Sequence, residues 1–120
     1  MHRPQFGQDL QLREEQEGRF LILHVEEERL DATNAVLFQA HLIHRIAAGH
    51  DHVVVDLSRV EAIDQEGLEA LRMGLQAVGP DGDLVLCGVN EPVMETLRQT
   101  LMNRIFGIFL GPEEALSALT

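Results

Sequence analysis

The chain has 120 residues, 45% of them hydrophobic, and a formal net charge of −11. That length suits one domain, and the apolar share can fill a core without metal or disulfide staples. Nine arginines, no lysine and no basic stripe argue against nucleic acid as a partner, and the acidity disfavours an anionic membrane surface.

There is no Trp or Tyr, so Leu, Ile, Val, Ala and the five Phe must build the core. The one cysteine, Cys87, lies in an apolar run and reads as a small buried hydrophobe, in keeping with a reducing compartment. Met1 to Gln8 carries no apolar signal region, and no apolar run approaches the roughly 20 residues that span a bilayer. A cytoplasmic protein is expected, one domain over 1–120, with 1–8 a flexible N-terminus.

Leu10 and Leu12 alternate with Gln11 and Arg13 as a short edge strand, Glu14 to Gly18 reads as a turn, and Phe20 to Val25 as an apolar strand; together they form a β-hairpin. Glu26 to Arg29 is charged and solvated. From Leu30-Asp31-Ala32-Thr33-Asn34 a helical period takes over: Ala35, Phe38, Leu42 and Ile46 share one face, Val36, Ile43 and Ala47 widen it, and Gly49 ends it.

Val53 to Leu57 is a nearly continuous apolar strand, the kind covered on both faces in parallel sheets. A helix follows from Glu66 to Val78 with Leu68, Leu71, Leu75 and Val78 at core spacing, closed by the turn Gly79-Pro80-Asp81-Gly82. Leu84 to Val89 is a further buried strand. Asn90-Glu91-Pro92 has the form of an N-cap with an early proline, opening a helix that uses Val93, Leu97 and Leu101. Ile105 to Leu110 reads as the last strand, and Gly111-Pro112-Glu113-Glu114 opens a C-terminal helix with acids in its first turn. The order β-β-α-β-α-β-α-β-α requires crossovers. It predicts an α/β fold with a mostly parallel central sheet and an antiparallel edge strand.

The run Val53-Val54-Val55-Asp56-Leu57-Ser58 followed by Ile63-Asp64-Gln65-Glu66-Gly67-Leu68 closely resembles the central motif of the STAS domains, the sulfate transporter and anti-sigma factor antagonist family. There a hydrophobic strand and Asp-Leu-Ser precede Ile-Asp-Ser-Ser-Gly-Leu, and a partner kinase phosphorylates the second serine. Gln65 and Glu66 stand at the two serine positions here, so the phosphoacceptor is missing. The likeness extends from about Phe20 to Leu119. Leu30-Asp31 is similar to a Gly-x-Leu/Ile-Asp element, with Glu28 in place of its glycine. Leu84 to Asn90 resembles the fourth strand and its loop, while Asn103 and Arg104 replace a Ser/Thr-Gly pair.

In such sheets the loops leaving the C-terminal ends of the parallel strands gather on one rim, where binding sites tend to lie. Here those loops supply Asp31, Thr33 and Asn34; Ser58, Asp64, Gln65, Glu66 and Gly67; and Asn90 and Glu91. The rim holds no nucleophile with a base beside it. Local chemistry alone makes Asp64 and Glu66 helix-start acids, favoured by the N-cap and the dipole. The resemblance implies more: a non-catalytic, cofactor-free module of bacterial signalling. It would bind an anti-sigma factor or switch kinase through the rim and so regulate transcription without touching DNA. Glu66 would supply one fixed charge where a phosphoserine would carry about 1.5–2. Ser58 and Thr33 are hydroxyls nearby, but neither occupies the matching position.

The alternative is an accessory STAS subunit of an ABC lipid transporter or a stress-signalling scaffold, which needs docking rather than a switch. A third is nucleotide or small-molecule sensing at the same rim, which its acidity disfavours. His41 and His44, with His50 and His52 beyond, suggest a metal, but no third ligand is placed and an exposed polar face is the simpler reading. Met73, Gly74 and Ala77 form either a small docking patch or a wider buried face. Acid–base chemistry by Asp64 and Glu66 is disfavoured because two acids at an exposed helix start both stay ionised.

Overall fold

The computed structural model describes residues 10–120; the expected flexible segment 1–8 lies outside them. Strands β1 (Leu12–Glu17), β2 (Phe20–Val25), β4 (His52–Asp56), β6 (Asp83–Cys87) and β7 (Ile108–Phe109) form one sheet in the order β1-β2-β4-β6-β7. β1 pairs antiparallel with β2, and the other pairs are parallel. Two-residue strands β3 (Arg29–Leu30) and β5 (Ala62–Ile63) pair with each other beside it. The helices are α1 (Ala35–Ala47), α2 (Gln65–Val78), α3 (Glu91–Gln99) and α4 (Pro112–Leu119).

The apolar runs of β2, β4 and β6 are covered on both faces. Leu21, Leu23, Val53, Val55, Leu84 and Leu86 face a core completed by α1, α2 and α3. Ile22, Val54, Val85 and Cys87 face a smaller cluster closed by Ala115 of α4. The helical face expected of α1 is the buried one: Ala35, Phe38, Leu42 and Ile46. The buried side of α2 includes Gly74, where a Cβ would run into Leu42 of α1 and Leu84 of β6. The glycine therefore serves packing; Met73 is half-buried beside it and Ala77 is exposed.

Five local expectations need correction. Glu14 to Glu17 continues β1, and the turn is only Gly18 and Arg19, with Gly18 at φ +59°. Charged residues are at home on a solvated edge strand, so polarity did not mark a turn there. β3 and β5 were missed because two residues generate no period. Val36 does not widen the core of α1; it is 69% exposed. Past α3, Leu101 adopts a left-handed conformation (φ 63°) and is exposed rather than core. A 3₁₀ turn over Met102–Arg104 follows, leaving β7 two residues long.

Candidate functional site

The β3–β5 pair brings two rim loops together. Leu30 and Ile63 are register partners, and the Asp64 N–H donates to Leu30 O at 3.2 Å. Asp64 is then the N-cap of α2 in extended backbone. Its Oδ1 accepts from the Gly67 N–H at 3.1 Å and its Oδ2 from the Ala32 N–H at 3.3 Å. One carboxylate thus caps the helix and ties down the neighbouring loop, which satisfies an otherwise orphaned helix-start donor.

The Asp31 loop is organised internally. Asp31 Oδ1 accepts from the Thr33 hydroxyl at 2.7 Å and the Thr33 N–H at 3.0 Å. The hydroxyl contact, then the backbone one, holds the Asp31 carboxyl below its ordinary range against an opposing effect of desolvation, with the charge of Arg29 the least of the four. Asn34 is buried: its Oδ1 accepts from the Asp31 N–H at 3.0 Å and its Nδ2 donates to Arg29 O at 2.9 Å. Gly67 is likewise buried, where a Cβ would meet Leu30 O and the Ile63 side chain. These two shape the rim rather than offer contact atoms.

Outward from this scaffold, Gln65 and Glu66 are exposed on the first turn of α2. With Ala35, Val36, Gln39 and Glu69 they line an open groove of about 440 Å³ between α1 and α2. Glu69 is paired with Arg72 at 2.6 Å, which holds its carboxyl below the usual range. The Glu66 side chain has no hydrogen bond or ion pair among the described residues, so its charge is not offset there. Val36, Gln39 and Glu69 were missed in the sequence. The signal for Val36 was present but misread, because an apolar residue one step off the core face still fits a wide helical stripe.

Ser58 and Asn90 form a second group. Asn90 does begin α3, but its side chain caps nothing. Its Nδ2 donates to Ser58 O at 2.9 Å and Val60 O at 3.0 Å, so it clamps the loop after β4. The Ser58 N–H donates to Asp56 Oδ1 at 3.0 Å. Among the described residues no side-chain hydrogen bond joins this group to Asp31, Asp64 or Glu66.

Both Asp64 oxygens accept from backbone donors, and Glu66 is exposed in a groove it shares with Glu69, whose carboxylate is paired with Arg72. Among the described residues no group of three or more His, Cys, Asp or Glu side chains could hold a metal ion. His41 instead meets Glu14 of β1 at 2.5 Å. No helix among them is long and apolar enough to cross a membrane.

A family model described as STAS domain matches residues 11–115. Solved structures agree in fold. An anti-sigma-factor antagonist (STAS) domain protein from Planctomyces limnophilus is 22% identical with a TM-score of 0.82, over 89% of this chain and 96% of that one. An anti-sigma factor antagonist from Mycobacterium paratuberculosis is 18% identical with a TM-score of 0.83, over 91% and 92%. A serine-to-glutamate variant of RsbS from Moorella thermoacetica is 23% identical with a TM-score of 0.73, over 91% and 94%. No curated protein matches by sequence.

Proposed function

Since the chain belongs to the STAS domain family, we propose that it is a non-catalytic protein-interaction module of the anti-sigma factor antagonist kind, docking an anti-sigma factor or switch kinase through the α1–α2 groove. Structural neighbours of this fold include proteins named as anti-sigma factor antagonists. The observation that carries the reading is Glu66: exposed, unpaired among the described residues, and set in the groove beside Val36 at the start of α2. A fixed carboxylate at a helix N-terminus is stable there and needs no kinase to install it. The domain therefore acts as an unswitched docking surface that presents one constant negative charge. Val36 supplies the apolar contact, and Thr33, Gln65 and Glu66 supply polar ones around it.

The test is affinity capture from the native lysate with wild type, Glu66→Ser and Glu66→Ala, followed by titration of the captured partner. The reading expects an anti-sigma factor or kinase-like ATPase whose affinity changes about tenfold with residue 66, about 1.4 kcal/mol, more than most interface residues contribute. It also expects the Glu66→Ser domain to become a phosphorylation substrate. Capture of transporter or scaffold subunits, indifferent to residue 66, overturns it and leaves Glu66 as a helix-start acid.

A further inference from the structure

On the sheet face covered by α4, residues that neighbour one another across the strands form a row near the rim. Arg13 of β1 is opposite His24 of β2, His24 is opposite Asp56 of β4, and Asp56 is opposite Cys87 of β6. His24 is only 8% exposed. Its Nδ1 lies 2.6 Å from Asp56 Oδ2 and its Nε2 2.6 Å from Glu15 Oε1. Both ring nitrogens thus face carboxylates at short hydrogen-bond distance. A neutral imidazole can donate from one nitrogen only; the other would set its lone pair against a carboxylate oxygen at 2.6 Å. With both protons in place, the ring donates two charge-assisted bonds.

We propose that His24 is a proton-dependent bridge fastening the edge strand β1 to the centre of the sheet. The bridge runs from Glu15 on β1, over β2, to Asp56 on β4, so it adds to the β1–β2 backbone ladder a link that the ladder does not contain. β1 otherwise presents mostly exposed, charged side chains. The bridge also continues inward, because the other oxygen of Asp56 accepts from the Ser58 N–H at 3.0 Å and so shapes the turn that Asn90 clamps.

The charged and titratable groups around the ring fix the sign. Glu15 and Asp56 are its direct partners. Arg13 lies across from it and 3.7 Å from Glu15, drawing on the same carboxylate. Cys87 lies across from Asp56, and burial first, then the charges of Asp56 and, from α4, Glu114, keep its thiol protonated. Two carboxylates bonded to the ring outweigh one arginine that is already shared with Glu15 and Glu26. Protonation therefore tightens the bridge, and its loss as pH rises loosens β1. Imidazole is the side chain whose charge ordinarily changes between about pH 5 and 8, above the range ordinary for carboxylates, which sets the two conditions to compare. This device does not depend on the docking reading above.

The experiment is urea unfolding of wild type, Glu15→Gln and His24→Gln at two pH values that bracket the histidine range, with Glu17→Gln as control. Glu17 shares the face and the strand but is not one of the two carboxylates bonded to the ring, which lets it report general charge relief. The expected result is that wild type exceeds Glu15→Gln in its folding equilibrium constant by a factor about tenfold larger at the acidic pH than at the basic one. The Glu17→Gln ratio should stay flat. Should His24→Gln fail to fold, Glu15→Gln carries the test alone, because its side chain is half exposed and its packing is unchanged. A wild-type to Glu15→Gln ratio that is equal at both pH values, or that moves in parallel with the Glu17→Gln ratio, overturns the proposal.

Discussion

Gly67 lies directly beneath the carbonyl oxygen of Leu30, so close that a Cβ at position 67 would overlap that oxygen and the Ile63 side chain together. The contact joins the first turn of α2 to the β3–β5 pair, and backbone sits on one side of it. A flexible side chain could move aside; a strand carbonyl already bonded to the Asp64 N–H cannot do so cheaply. Gly67→Ala should therefore lower stability by about 1–3 kcal/mol, as overpacking does, measured by urea unfolding. It should also weaken partner capture, since α2 must shift and carry Glu66 with it. A variant as stable as wild type would mean that the helix start is free to move.

Asn90 separates two readings of one residue. As an N-cap, it would tolerate aspartate, which caps equally well. In the structure it is a double donor to Ser58 O and Val60 O, and a carboxylate can donate to neither. Asn90→Ala should cost about 1–2 kcal/mol for the two unmet carbonyls. Asn90→Asp should be worse than alanine, because a charge would face two carbonyl oxygens. Ranking the two variants by urea midpoint decides the matter, and aspartate above alanine would restore the capping role.

What the sequence revealed and what it hid follow from the same physics. The buried face of α1 and the runs at Val53–Val55 and Leu84–Leu86 were legible because a hydrophobic period extends over many residues. Asp31 and Asp64 could be placed near one rim from strand order alone. Their linkage through Ala32 could not, since it depends on a strand pair two residues long. The role of Asn90 was hidden for a related reason: a side chain before a helix can cap it or reach elsewhere, and only the fold of the preceding loop decides. His24 lies inside an apolar run and carries no local signal of its role, because its partners are 9 and 32 residues away.

The Asp31–Thr33 contact gives a pH prediction whose sign can be worked out. The Thr33 hydroxyl, and after it the Thr33 N–H, lowers the Asp31 pKa from its ordinary 3.8. A carboxyl with a depressed folded value contributes stability above its unfolded value and loses it as pH falls through the folded one. Thr33→Val removes the larger contribution and keeps the backbone donor. In an NMR titration the Asp31 midpoint should move up towards the ordinary value without reaching it. An unmoved midpoint would show that the hydroxyl is turned to solvent.

Cys87 provides a test of packing under α4. Burial first, then the charges of Asp56 and Glu114, pushes its thiol up to about 12. Four units separate that value from pH 8, so only about one molecule in 10⁴ would carry the reactive thiolate there. Access is restricted as well, since the side chain lies beneath Ala115 with Ile22, Val54 and Val85 around it. A disulfide reagent at pH 8 should leave the folded protein unmodified on a timescale in which the urea-unfolded chain reacts completely. The rate in native buffer should then report opening of α4 from the sheet. Ala115→Gly, which removes the methyl that covers this face and weakens α4 as a helix, should raise that rate; fast labelling of the wild type would instead show that α4 does not hold the sheet face closed.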